Sequence, residues 1–402
     1  MSRRNRVETR VAPSILDVPA GQWDGLVPPD GFYSSHAWLR AMGRGWSGPE
    51  ACVEAVVDDE FAGGLPLYLA AAPSPSPYDP SESLAGVLGG PVEEPLHPFV
   101  LGGGRLGFRS QLLLPDALPA ARGEVATRIV EEMERQARRW GARGCGLMYL
   151  TDGAAAEASP VLTPRGYVVY LETFEARLAV QWRTFDEYLG SFSRDRRNAI
   201  KREIGRFERS GLSIEPTRQA GLENVMARLL ANVQRRYGSA ADEGALEKSL
   251  RLASEEANRH SVAFVLNNDD AVIGYCLAYR WGRHLFLRSA GFDYDDPSVR
   301  GAYFPLVLYA PLQYAIENDL EQVHLGTEAF EAKVTRGGRL FPLWSAVFLE
   351  EGEGLFRRRL DDAARARFDA LREANTYPPL LAAIDDAQRA MPRTEPAWTS
   401  SS

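Results

Sequence analysis

Lys333 is the first residue whose type and setting suggest chemistry. The chain carries 46 lysine and arginine residues, yet only Lys201, Lys248 and Lys333 are lysine. Where arginine is the default cation, a lysine carries more information. Lys333 lies in the stretch HLGTEAFEAKVTRGGRLFPLWSAVFL, residues 324–349. That stretch opens as a short apolar strand over 322–326 and turns at the polar pair Thr327-Glu328. It then carries Lys333, Arg336 and Arg339 around Gly337-Gly338, and ends in an apolar run, 340–349, that reads as another strand. The competing reading of Lys333 is a solvated surface charge. A second concentration of charge lies at 194–209, where Arg194, Arg196, Arg197, Lys201, Arg202, Arg206 and Arg209 surround an apolar stripe of Ile200, Ile204 and Phe207. Arg197 and Lys201 are four apart and share a helix face. In a chain of net charge −8, such a helix can clamp the phosphates of a nucleotide or an RNA end. A plain solvated helix face is the alternative.

Other chemistries find no support in spacing. His36, His97, His260, His284 and His324 form no zinc-binding pattern. Cys52, Cys145 and Cys276 are scattered, with no C-x-x-C pair, so neither a disulfide framework nor a metal site is expected. No G-x-S-x-G elbow occurs. His324 sits in an apolar strand and reads as a core residue. Gly102-Gly103-Gly104 is not followed by the Lys-Ser/Thr of a phosphate-binding loop. No metal and no cofactor are expected.

At 402 residues two domains are the default. The N-terminus MSRRNRVETR lacks the apolar core of a signal peptide. No segment approaches the ~18 apolar residues of a membrane span. A cytoplasmic protein is the expectation, and the oligomeric state is not legible. The pattern predicts disordered residues 1–10 and 393–402, an N-terminal domain over 11–170, a second over 171–351, and helices over 352–392. In the first domain a helix capped by Ser34 or Ser35 carries Trp38, Leu39 and Met42. A hairpin turns at Asp58-Asp59-Glu60. The Pro/Ser-rich 71–82 is read as a surface loop, a candidate flap, and a helix spans about 120–141. The second domain opens on Thr184-Phe-Asp-Glu187, a capping box, and Ser193 caps the basic helix. Helices follow over 219–237 and 243–259, then three apolar strands, a helix over 302–319 and the strand 322–326.

This order in the second half resembles the GNAT acyltransferase fold, in which the fourth and fifth strands splay to admit the acyl donor. The donor's phosphates then lie at the following helix N-terminus, here DDPSVRGAYF with Arg300-Gly301. The Gly-rich loop of coenzyme A users is missing, and Asp293, Asp295 and Asp296 stand close by. Pairing of Arg300 with these aspartates is the alternative reading. Three motifs are similar to Fem-type aminoacyl transferases, and most of all to the FemAB-like members that lack a coiled-coil arm. They are GFYSSHAWLRAMGRGW, FDEYLGSFSRDRRNAIKREIGRFERSGLSIE and EAFEAKVTRGGRLFPLWSAVFL. The resemblance runs over about 10–350. It implies a mixed α/β chain of two tandem GNAT-like domains, with mostly antiparallel sheets flanked by helices and a C-terminal helical extension.

It further implies an amide-forming transfer of an amino acid from aminoacyl-tRNA to the amine of a small molecule or peptide. Lys333 matches the family's functional lysine. A fixed ammonium in a desolvated cleft stabilises the oxyanion formed when an amine attacks an acyl ester. Thr327 or Glu328 would orient the amine or accept its proton. Arg194, Arg197, Lys201, Arg300 and Arg336 would face donor phosphates, and Tyr33, His36, Trp38 and Tyr303 would line the acceptor pocket. Two departures bear on the acceptor. Ala332 replaces the usual Phe, and Met42 stands where peptidoglycan-acting members carry a phosphate-binding Lys. Both favour a smaller, phosphate-free amine. An acyl-CoA-dependent N-acyltransferase and a catalytically silent binding module remain as alternatives.

Overall fold

The structure is a computed structural model that describes residues 6–74, 76–92, 96–269, 271–349 and 354–391. The chain forms two compact units. The first holds Met1–Glu175, Thr327–Val334 and Leu340–Ser402; the second holds Ala176–Gly326 and Thr335–Arg339.

In the first unit, β1 (Val7–Ala12) leads through α1 (Ala20–Asp24) to α2 (His36–Arg44). The Ser35 hydroxyl caps α2 by accepting from Trp38 N–H, as the sequence suggests. The hairpin of β2 (Glu50–Val57) and β3 (Glu60–Ala70) turns on Asp58 and Asp59, both at positive φ, the conformation that matches strand twist. Next come α3 (Pro80–Leu88), β4 (Phe99–Gly102), α4 (Arg122–Arg139), β5 (Gly144–Thr151), α5 (Asp152–Leu162) and β6 (Val168–Ala179), which leads into the second unit. Val125, Ile129, Met133 and Ala137 form the buried face of α4.

The second unit opens on α6 (Phe185–Gly190), where Thr184 Oγ1 accepts from Glu187 N–H and the Glu187 carboxylate reaches back to accept from Arg183 N–H rather than from Thr184 N–H. It continues with α7 (Arg194–Glu208), capped by Ser193, then β7 (Ser213–Thr217), α8 (Glu223–Arg236), α9 (Glu243–Ala257), β8 (Ser261–Asn268), β9 (Ala271–Trp281) and β10 (His284–Phe292). A five-residue π-helical turn, Pro305–Tyr309, runs into α10 (Ala310–Glu317), and β11 (Gln322–Gly326) follows. Its strand order is β6-β11-β10-β9-β8-β7, with β7 to β10 antiparallel and β10–β11 parallel. The parallel pairing covers only His284–Phe286 against Gln322–His324, and β10 bulges between Leu287 and Ser289. Beyond those three residues the two strands part, which is the splay of a GNAT-like sheet.

The chain then returns to the first unit through α11 (Phe330–Val334), β12 (Arg339–Leu349), α12 (Gly354–Glu373) and α13 (Pro378–Ala390). The first unit repeats the same plan: β1, β2, β3 and β4 are antiparallel, β4 and β5 run parallel over Phe99–Gly102 against Gly144–Leu147, and β12 pairs antiparallel with β5. The fold is mixed α/β with two GNAT-like units. Among the described residues no helix is long and apolar enough to cross a membrane.

Several expectations are corrected. Residues 7–10, expected to be disordered, pair as β1 with β2; 1–5 and 393–402 lie outside the described residues. The expected loop 71–82 ends early, because Asp79 caps α3 and Pro80 occupies its first turn, where a missing N–H costs nothing. The Ala-rich α5, capped by Thr151, was not anticipated. The expected second domain, 171–351, also gives up its final segments. β12 pairs with β5, its Leu343, Trp344, Ala346 and Val347 join first-unit core clusters, and Phe356, Leu360, Ala364, Phe368, Ile384 and Ala387 complete them. Burial of these faces, not order along the chain, decides where 340–349 and the C-terminal helices belong.

Candidate active site

Lys333 is positioned by a strained turn. After β11 the backbone passes through Gly326, Glu328 and Ala329, all at positive φ (75°, 67° and 47°). Glycine accepts this at little cost, whereas Glu328 and Ala329 do not. The turn feeds α11, whose Phe330 meets Phe174 edge-on, ring centroids 6.3 Å apart. Lys333 N–H bonds Ala329 O, and its Nζ folds back to donate to Thr327 O at 2.7 Å. Burial lowers the Lys333 pKa to about 8, against the opposing pull of Glu328 and Glu175. An ammonium that gives up its proton this readily has lost much of its hydration, as a group stabilising a developing oxyanion must. Thr327 enters the site through its carbonyl. Glu328 is exposed.

Elsewhere in the first unit lies a buried charge cluster that sequence reasoning missed. Glu175, on β6, is 3% exposed. One nitrogen of Arg109 pairs with it, and the other with the side chain and carbonyl of Asp30. A buried carboxylate in the apolar strand LETFEARLAV was the available signal; nothing in the sequence marked Arg109 as its partner.

In the second unit Arg336 does not present its donors to a phosphate. It is 4% exposed, pairs with Glu203 at 2.8 Å, donates to the Tyr309 hydroxyl at 2.9 Å and stacks on Phe304. Its carbonyl accepts from Tyr188 Oη. The π-helical turn brings Tyr309 into this network. Arg336 therefore reads as an internal ion pair, contrary to its expected role.

The remaining basic residues divide. Arg194 and Lys201 are exposed on α7, and Lys201 edges an open cleft of ≈ 630 Å³ lined by Leu189, Ile204, Phe207, Ile214 and Tyr309 among others. Arg197 donates to Phe192 O. Arg300 is exposed. Its neighbouring aspartates have other partners, Asp293 pairing with Arg228 and Asp296 accepting from Ser298 and Asn268. Arg206 lies against Gly301, whose φ is +95°.

Of the residues expected in the acceptor pocket, Tyr33, His36 and Trp38 are buried in the first unit. Tyr33 and Trp38 are buried against each other, and Trp38 Nε1 donates to Arg105 O. His36 Nε2 faces the carbonyls of Ile15 and Val18, so that nitrogen carries the proton and the ring holds α2 to the preceding segment. Tyr303 lies in the second unit, 46% exposed and stacked on Phe292. His324 is a core residue as expected, stacked on Phe286 and 3.0 Å from His284 Nδ1.

A family described as peptidoglycan biosynthesis/recognition, FemAB-like, matches residues 110–375. The chain belongs to the FemAB-like family. No curated relative matches it in sequence. FemX is similar in structure, with 11% identity and a TM-score of 0.60 over 87% of this chain and 100% of that one. A conserved protein of unknown function from Bacteroides thetaiotaomicron VPI-5482 matches at 11% identity and a TM-score of 0.51, over 83% of this chain and 98% of that one. At these identities the likeness carries the fold. Family and fold together support a transferase of the GNAT/Fem class for this FemAB-like chain.

Proposed function

We propose that this FemAB-like chain forms amides, moving an aminoacyl group from the ester of an aminoacyl-tRNA to an amine on a small molecule or peptide. The observation that carries this reading is Lys333, an ammonium held at 2.7 Å on Thr327 O and desolvated enough to titrate near 8. In the reaction the neutral amine attacks the ester carbonyl and a C–N bond forms. The carbonyl oxygen becomes negative beside Lys333, the C–O bond to the tRNA ribose breaks, and the alcohol leaves with a proton. Glu328, an exposed carboxylate, takes the proton released by the amine and passes it to the departing ribose oxygen. No nucleophilic side chain is needed, because the amine itself attacks.

The donor identity is tested by incubating the protein with charged tRNA pools or acyl-CoA, together with extract amines, with and without ribonuclease. Product that disappears on ribonuclease treatment is expected. Ribonuclease-resistant product, or product from acyl-CoA alone, points to the N-acyltransferase alternative. Lack of product from either donor points to a binding module.

The half-buried Arg197 and the exposed Lys201 of α7 are assigned to donor phosphates. The double variant Arg197→Glu, Lys201→Glu is expected to weaken donor binding by about tenfold or more and to flatten its salt dependence. Filter binding across a salt series measures both. Unchanged affinity and slope would return α7 to a solvated helix face.

A further inference from the structure

We propose that Tyr237, Tyr294 and Tyr303, in the second unit, form a stacking platform for the unpaired bases at the 3′ end of the donor RNA, a reading that rests on the aminoacyl-tRNA donor proposed above. These tyrosines are three of the five large apolar side chains exposed among the described residues, at 78%, 36% and 46%. Single exposed apolar residues are ordinary. Three beside exposed cations, at the open end of a splayed sheet, call for a ligand.

Helical spacing brings the tyrosines together. Arg228, Asn232 and Arg236 recur every fourth residue on α8 and share a face. Arg228 pairs with Asp293 at 3.1 Å, Asn232 donates to Phe292 O at 3.3 Å, and the Arg236 guanidinium lies 4.3 Å from the centre of the Tyr294 ring, a cation–π contact. The helix sits this close to β10 because Gly291 has no side chain: a Cβ there would meet the Leu229 backbone at 2.7 Å. Tyr237 follows Arg236 directly, where α8 ends. Phe292 is the common neighbour of the other two, with ring centroids 6.0 Å from Tyr294 and 5.7 Å from Tyr303. Tyr303 also meets Phe304 edge-on at 5.1 Å, and the buried Arg336 stacks on Phe304, so the platform has a fixed base. Phe292 ends β10, well beyond Phe286, the last residue to pair with β11.

Charge identifies the occupant. Arg206, against Gly301, and Arg236 and Arg300 are all exposed. Of the nearby acids, Asp293 is paired with Arg228, Asp296 is engaged by Ser298 and Asn268, and Asp295 remains exposed. Aromatic faces beside guanidinium groups suit unpaired nucleotides, whose bases stack on any such ring and whose phosphates seek positive charge. A duplex stem offers no free base face along its length, so the platform favours the single-stranded end.

The test uses three uncharged RNAs: a stem-loop with a short unpaired 3′ tail, the same stem-loop with a blunt end, and one whose tail is abasic and keeps only sugars and phosphates. Filter binding is expected to place the unpaired tail about tenfold or more above the other two. Tyr303→Ala and Tyr237→Ala should each remove most of that preference and leave the salt slope in place, because stacking carries no charge. Tyr303→Phe, which keeps the ring, should retain it. Should Tyr303→Ala fail to fold, the highly exposed Tyr237 decides. Equal binding of the three RNAs, or a tail preference that ignores both alanine variants, overturns the platform. So does tyrosine-dependent binding of coenzyme A or of a chitin oligosaccharide in place of the tailed RNA. A base-dependent tail preference in a protein that transfers nothing would sink the proposed reaction and leave the platform standing. Transfer from charged tRNA by both alanine variants at the wild-type KM would do the reverse.

Discussion

Replacing Lys333 by Met is expected to lower the transfer rate by about 10²–10³-fold, the usual loss when one oxyanion-stabilising group is removed, and at the same time to make the protein more stable at neutral pH. The second effect follows from linkage. Lys333 titrates near 8 in the fold and near its ordinary 10.5 when unfolded. Between those values the unfolded chain binds more protons, so wild-type stability rises with pH across that window. Below about pH 8 both states are protonated and the fold carries the whole penalty of a desolvated ammonium. Discounted for partial exposure, that penalty is about 1–3 kcal/mol. Met keeps the aliphatic packing without the charge. Urea unfolding at pH 7 and pH 10 measures the effect. The variant should gain at pH 7, and the gain should shrink by pH 10. A surface lysine would show neither change, and a purely structural lysine would lose stability when replaced.

Arg336→Met is expected to act through stability instead. The substitution leaves the Glu203 carboxylate and the Tyr309 hydroxyl without their guanidinium partner. Breaking a buried pair from one side costs about 3–5 kcal/mol. Because Glu203 keeps 27% of its side chain exposed, about 2–4 kcal/mol is expected here. The double variant Arg336→Met, Glu203→Gln should recover a good part of the loss, since the orphaned charge is gone. Equilibrium unfolding of the three proteins tests this. A single variant within about 0.5 kcal/mol of wild type would mean a well-solvated pair, and would reopen Arg336 as a ligand for donor phosphate.

Arg336 also shows what the sequence could and could not disclose. Local signals were readable: Ser35, Thr184 with Glu187, and Ser193 cap the helices that their spacing suggested. The order of helices and apolar strands in the second half was enough to expect one GNAT-like unit there, and the resemblance to the Fem-type family implied the other. Lys333 was visible because so few lysines compete with it. Pairings between distant positions left no trace. Arg336 looked like a free cation beside a Gly-Gly turn, but its partner Glu203 lies on α7, 133 residues earlier. Arg109 and Glu175 are separated by 66 residues, and no periodicity links them. His36 and Trp38 were read as pocket residues because they sit in an aromatic motif; their ring nitrogens are in fact occupied by backbone carbonyls. The unit boundary was misplaced for a related reason. The apolar pattern of 340–349 shows that the segment is a strand, but not that its neighbour is β5.

The most direct measurement is a product assay. Protein, tRNA charged with isotopically labelled amino acids, and a pool of amines are incubated, and the mixture is searched by mass spectrometry for amines that have gained one aminoacyl residue. The wild-type protein is expected to produce a labelled amide, and Lys333→Met, shown folded by its unfolding curve, almost none. Label released only as the free amino acid, or an equal yield of amide from Lys333→Met, would contradict an amide-forming transfer that depends on Lys333.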